Sequence, residues 1–328
     1  LTLHEAVHAQ TSLRSSYIKD FPDDFFVWPL LKQRTTSFEV ALQKDRNQRL
    51  TYKPNNSFGL GAGIYAFGIG AEFTFAIQPK QELQYTYGHS SATDLQLNLL
   101  SKRWGMDVFT QHYAGFYVTD PNKTIPAGTP FPQRPDISTW NTGLNGIYVF
   151  NKNKYSLRAA YNFSEKQLRS GGSFLLSGTL NTFSLRADSA VYGLNYEAVL
   201  GANSAFQKLD YTTLSVAPGY GHTFVYKNLF LNASLSVGPA HHWVYYQSHG
   251  VDYQSTTVNT FFDARFAVGY NGDKFFMGVT FVSQARNMKF QLIDFTNSSS
   301  TFRFLVGYRF REYGVLKKNV WDFLPFKK

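Results

Sequence analysis

The stretch GYNGDKFFMGVTF, residues 269–281, constrains the fold most. Asn-Gly supplies the left-handed backbone that a tight hairpin needs. The flanks alternate strictly. Before the turn, Val258, Thr260, Phe262, Ala264, Phe266, Val268 and Tyr270 share one face. Asn259, Phe261, Asp263, Arg265, Ala267 and Gly269 share the other. After the turn, Phe275, Met277, Val279 and Phe281 oppose Gly278, Thr280, Gln284 and Arg286. Such a period of two describes long strands, each with one greasy and one polar face. No run of 18 apolar residues occurs anywhere in the chain, which excludes a transmembrane helix. Aromatics make up 17% of residues and charged residues only 16%, below the usual charged share of about 25%. High aromatic content with no apolar run fits a membrane β-barrel, whose lipid face is hidden by alternation. A large secreted β protein is the competing class.

The chain has 328 residues, enough for two ordinary domains or one large barrel. It contains no cysteine, so neither a disulfide nor a thiolate metal site can form. Its net charge of +10 is scattered, with no basic stripe of the kind nucleic acid requires. Outer-membrane lipid, lipopolysaccharide and anionic solutes are the expected partners, together with other outer-membrane or periplasmic proteins.

Roughly twelve alternating strands can be traced, an even number as bacterial barrels require. Short connections (FG, SKR, NKNK, YKN, NGDK) alternate with long ones at 45–55, 78–91, 119–137, 164–206, 248–256 and 294–300. That parity predicts an all-β antiparallel transmembrane barrel with short periplasmic turns, long outer loops and periplasmic N- and C-termini. The expected organisation is an N-terminal periplasmic segment over 1–34, the barrel over 35–311 and a C-terminal periplasmic tail over 312–328. Val7-His8-Ala9 has the small-residue pattern of a secretory cleavage site, so 1–9 reads either as a signal-peptide remnant or as an ordinary N-terminus. Tyr148, Tyr155, Tyr226, Tyr270, Phe275 and Tyr308 sit beside short turns, and Trp140, Trp243 and Tyr245 lie toward the long loops. These are the expected aromatic girdles.

The inward face should carry Glu39, Glu72, Asp94 and Asp107 from the first half of the chain. From the second half come Arg158, Arg265, Arg286, Arg303 and Arg309, with Asp263 the lone acid. Two readings follow. The signs form opposite walls of a selective constriction, or they pair across a narrow lumen and close it. Phe109, Tyr113 and Tyr117 on the inward face favour filling. Residues 164–206 form either a further wall hairpin or a plug. No catalytic residue, metal or cofactor is assigned. In GHSSATD (88–94), His89 and Ser90 could pair as in a lipid hydrolase only if both lie in a loop. His241 and His242 point to opposite faces. Trp321, Phe323 and Phe326, set among lysines in the tail, read as a docking element or a simple flexible tail.

LTYKPNNSFGLGAGIYAFGIGAEFTF, DLQLNLLSKRWGMDVFTQHYAGFYV and QLRSGGSF together resemble an uncharacterised family of Bacteroidota outer-membrane β-barrels, a domain of unknown function. The resemblance implies an outer-membrane barrel and brings no reaction, ligand or catalytic residue. Three functions remain in view: a narrow gated channel for small polar or anionic solutes, an accessory subunit with a filled lumen, and a surface lipid hydrolase.

Overall fold

The computed structural model describes residues 13–56, 58–66, 69–77, 79–192 and 205–311. Residues 1–9, Trp321, Phe323 and Phe326 lie outside the described residues, as do 193–204 of the longest outer loop.

The chain is an antiparallel barrel. Ten strands close its ring at one rim: β2 (Asp24–Leu42), β3 (Arg49–Lys53), β7 (Trp104–Thr119), β8 (Gln133–Val149), β10 (Gly171–Arg186), β11 (Phe206–Tyr226), β12 (Leu229–Ser248), β13 (Val251–Asn271), β14 (Phe275–Phe290) and β15 (Ile293–Arg311). β15 closes on β2 from Ile293↔Leu42 to Arg311↔Asp24, so both ends of the barrel wall lie at one end of the cylinder, here the terminal end. Toward that end β4 (Gly59–Ala66), β5 (Ile69–Ala76) and β6 (Ser91–Leu100) take the place of β3, and the wall widens to twelve strands.

One strand shows how the cylinder is layered. On β10 the inward side chains are Leu175, then Ser177, Thr179 and Asn181, then Phe183 and Leu185, all buried. The lumen is therefore apolar, polar and apolar again along its axis. The outward residues run Phe174, Leu176 and Leu180, all exposed, and then Thr182, Ser184 and Arg186. On β12 the outward run Leu229, Leu231, Leu235 and Val237 is exposed over nine residues, about the length a strand needs to cross a bilayer. The remaining strand length carries the barrel beyond that band. There its inside is an aromatic core of Phe38, Tyr52, Phe183, Phe206, Tyr211 and Phe295. Trp140, Trp243 and Tyr245 face outward at this boundary, while Tyr226, Phe275 and Tyr308 are exposed near the short turns. Tyr148 and Tyr270 are half-buried on that same outer side, bonded to Arg103 and Asn228.

Several expectations change. The wall starts at Asp24, earlier than residue 35. FFVWPLL is apolar on both parities, which hides the period, and Pro29 argues against a central strand. Its missing N–H is tolerated because the β15 register skips Trp28 and Pro29. Glu39 faces outward and pairs with Arg49 at 3.7 Å. Phe38, Val40 and Leu42 face the core instead, because this part of β2 stands beyond the membrane band. The connections expected at 248–256 and 294–300 are strand, joined by two-residue turns with positive φ at His249, Gly250 and Gln291. At Gly115 a bulge with φ +81° shifts the phase of β7, so Tyr113 stays inside while Tyr117 turns out to meet Tyr87 at a tilt and Phe131 edge-on.

The largest correction concerns residues 150–170. The segment 155–163 was expected in the wall, but it folds into the lumen at the terminal end. Leu157–Tyr161 forms a helical turn, N-capped by the Ser156 hydroxyl accepting from Ala159 N at 3.0 Å. β9 (Glu165–Gln167) follows and pairs with β1 (Ile18–Asp20), giving a two-stranded sheet apart from the wall. Tyr155 is consequently fully buried rather than part of a girdle. Wall strand β10 comes from the first half of the stretch 164–206. The plug is tied in by Arg309, which donates to Gly272 O and Phe163 O at 2.6 Å each and packs over the Phe21 ring at 4.0 Å. Asn271 donates to Ala159 O at 3.2 Å and to Glu165 O at 3.0 Å. Glu165 is 1% exposed and faces Arg14 at 2.8 Å and Arg158 at 3.1 Å.

Candidate functional site

The wall is not continuous. β4 and β5 are paired along their length, as are β6 and β7, but among the described residues no hydrogen-bonded register joins β5 to β6. The cause begins at Lys53-Pro54-Asn55-Asn56. β3 ends at Lys53 and lies against β7 (Thr51↔Thr119, Lys53↔Tyr117), and below it the two walls part around β5 and β6. Asn55 secures the fork: its N–H donates to Ser90 Oγ at 2.7 Å and its amide to Gly88 O at 2.8 Å. Ser90 Oγ in turn donates to Gly115 O at 2.8 Å. A side chain at Gly115 would place its Cβ 2.3 Å from His89 O, so the fork needs glycine there for close approach as well as for its positive φ.

Ser90 is thus a structural staple, its hydroxyl bonded to two backbone groups, Asn55 N and Gly115 O. Ser90→Ala should leave Asn55 N and Gly115 O underbonded and cost about 1–3 kcal/mol. Amide exchange should accelerate locally at 53–56 and 115–117. Unchanged protection there would show that the fork is held by other contacts.

Two cavities that share lining residues lie at the split, the larger one opening outward through it. One, of about 380 Å³, is lined by Trp28, Lys32, Glu72, Asp107, Arg265 and Arg303 among others. The second, of about 970 Å³, reaches up to the fork past Arg34, Thr74, His89 and Asp94. Lys32, Glu72, Phe73, Gln96 and Leu97 line both. Outward-facing Phe73 and Phe75 on β5 are 69% and 80% exposed, and Leu95 on β6 is 65% exposed, so the split has apolar lips.

The charged residues expected in the lumen, Glu39 apart, lie inside, and apart from Arg286 and Arg309, which bond neutral groups, they meet opposite charges rather than forming separate walls. Glu72 accepts from Lys32 at 3.2 Å and from Arg303. Asp94 accepts from Arg34, Gln111 and Tyr113. Arg265 is held by Asp263 at 2.9 Å and faces Asp107 at 3.6 Å. Arg286, fully buried, donates to Asn145 and Thr179 and lies over Phe261. Arg158 reaches the interior from the plug, bonding Tyr65 at 2.6 Å. The reading of two opposed walls missed Lys32 and Arg34, which sit on the same side as their acids. Both lie in the strand that FFVWPLL concealed. His242 is buried against Thr213 at 2.8 Å while His241 packs outward on Trp243, as the parity requires.

Beyond the band, Arg134 clamps Asp136 through two 2.7 Å bonds and also donates to Ala190 O and Val191 O. That guanidinium holds the Asp136 carboxyl below its usual range and ties the outer loop to the rim.

Residues 14–310 match a family described as a domain of unknown function (DUF4421). Among solved structures the chain is similar to the outer membrane protease OmpT from Escherichia coli, at 10% identity over 89% of this chain and 98% of that one, with a TM-score of 0.42. It is also similar to the Pseudomonas putida toluene transporter TodX (9% identity, 88% and 90% covered, TM-score 0.26). A third likeness is to Neisserial surface protein A (7% identity, 85% and 96% covered, TM-score 0.23). No curated protein matches. Likeness at this level transfers no activity.

Proposed function

The chain belongs to the DUF4421 family, and from its geometry we propose that it is an outer-membrane barrel that admits a membrane-borne molecule through its side rather than a solute through its ends. The short turns and both ends of the wall face the periplasm in this reading. The observation that carries it is the missing ladder between β5 and β6 in front of two cavities. Elsewhere the lumen is filled. An aromatic core occupies the far end, and the plug with Phe26, Tyr155, Phe163 and Phe276 occupies the terminal end. Displacing the plug would still leave the far core, which wall side chains build together with Val191, Tyr192 and Ala205 of the outer loop, so opening end to end would require wall side chains to repack. The polar layer between the cores offers a molecule from the side a hydrated destination. Unpaired strand edges facing lipid are costly unless they border such a cavity.

Two measurements test this. Purified barrel in a planar bilayer should show no steady single-channel conductance; regular conductance steps would return the channel reading. In a variant keeping Trp28 as its sole tryptophan, nitroxide lipids should quench the Trp28 fluorescence although Trp28 is buried. Bridging Thr74→Cys to Gln96→Cys with a thiol cross-linker should remove that quenching. The chain has no native cysteine to compete. Trp28 unquenched before bridging would defeat lateral access.

A further inference from the structure

Resting on lateral access, we propose that the split binds a single-tailed amphiphile with an anionic head, the head seated at Lys32 and Arg303 and the tail lying between the apolar lips. Three features point to this class. First, Lys32 and Arg303 converge on one carboxylate, Glu72, which also accepts from Trp28 Nε1 at 3.2 Å. Their side chains are only 14% and 13% exposed. Two cations therefore share one counter-charge in a half-dry lumen. Arg265 deeper in the layer is met by both Asp107 and Asp263, so the positive charge without a partner of its own lies at Lys32 and Arg303. A buried charge left over in this way is costly until paired.

Second, the path from that cluster to the outside changes from polar to apolar in the order an amphiphile requires. Lys32, Glu72 and Gln96 on the inner side give way to Phe73, Phe75, Leu95 and Leu97, all four exposed on the outer face. Third, β5 and β6 approach within 8 Å, Cα to Cα, although no ladder joins them, against about 5 Å between paired strands. A slit of that origin suits one acyl tail rather than two. Taken separately, the two volumes of about 380 and 970 Å³ each fall in the range of small-molecule sites, about 300–1,000 Å³. A polar head at the inner margin would also accept from backbone N–H groups left unpaired on the strand edges.

The test uses three probes with the same sixteen-carbon nitroxide tail: the carboxylate, its methyl ester and the phosphate monoester. Each is titrated against the full chain in nanodiscs of zwitterionic lipid, with Trp28 quenching and probe mobility as readouts. The carboxylate should bind at least about tenfold more tightly than its ester, the minimum for a charge-assisted hydrogen bond. Equal binding of the phosphate would define the site as a general anion head site; a carboxylate preference would narrow it. Lys32→Met with Arg303→Met should abolish the preference. Because that pair strands Glu72 and risks misfolding, Glu72→Gln provides the complementary arm. It should lower thermal stability yet tighten carboxylate binding, a combination that a merely structural cluster would not give. Equal binding of acid and ester, both blocked by the Thr74–Gln96 bridge, would overturn the anionic head while leaving lateral access standing. Carboxylate binding indifferent to all these substitutions would overturn the site. If no probe binds and lipid nitroxides fail to quench Trp28, lateral access itself falls.

Discussion

Glu165→Ala should destabilise the barrel by about 3–5 kcal/mol, the cost of stranding charges that a buried partner had neutralised. Glu165 is 1% exposed and joins three parts of the chain. Arg14 comes from ahead of the wall, Arg158 from the helical turn, and Ser156 donates to its second oxygen at 2.5 Å. Without the carboxylate, two guanidiniums face one another inside the plug. The β1–β9 pairing loses its anchor, and Arg309 and Asn271 then bond to a segment that no longer holds its shape. Glu165→Gln keeps the size and one acceptor, so it should cost less than alanine but more than Arg14→Ala, which leaves Arg158 to neutralise the carboxylate. Urea unfolding in detergent micelles, followed by heat-modifiable gel mobility, gives the ranking. Equal midpoints for all three variants would mean that the plug contributes little to the folded barrel and is held by its apolar contacts alone.

Alternation in the sequence disclosed the strands but not which solvent each face meets. In 229–237 and 258–281 the apolar parity faces lipid, and the reading from sequence matches the structure. In Phe38, Val40 and Leu42 the same signal belongs to a part of the barrel standing beyond the bilayer, where water is outside and the apolar face turns inward. Glu39 was misplaced for that reason alone. In 155–163 the alternation was incidental. Ala160 breaks it, and Ser156 followed by Leu-Arg-Ala-Ala is a capped helical turn whose burial on every side only the surrounding barrel could reveal. The Ser/Thr-rich stretches at 254–257 and 296–301 looked like loops because they are polar, yet a strand wetted on its outer face is expected to be polar there. The split was the least legible feature. It arises from a negative fact, two edges that do not meet, and depends on Asn55 and Ser90, which are 35 residues apart in sequence. The Lys-Pro-Asn-Asn segment supported the family resemblance without disclosing what it does. In the structure it is the point where one strand pair becomes a fork.

Arg265→Met should be the most damaging substitution in the polar layer, again about 3–5 kcal/mol, because Asp263 and Asp107 would be left facing each other across the site the guanidinium filled. Asp263 keeps Gln284 as a donor at 2.9 Å, which satisfies a lone pair but supplies no charge. Adding Asp263→Leu and Asp107→Leu removes the stranded acids and should recover most of the loss, since a well-packed apolar set often equals or exceeds a buried ion cluster. These residues are in contact, so the three effects cannot add, and the coupling is read from the full mutant cycle. The comparison separates two explanations for a charged layer between two apolar cores. If the apolar triple variant is as stable as the native barrel, stability does not account for the layer, and its charges serve what comes through the split. Carboxylate-probe binding at Lys32 and Arg303 should then respond to the triple variant although both cations remain, tightening because two acids and one cation beside the head have been removed. A triple variant that stays strongly destabilised would instead assign the ion cluster to holding β13 and β7 across the lumen.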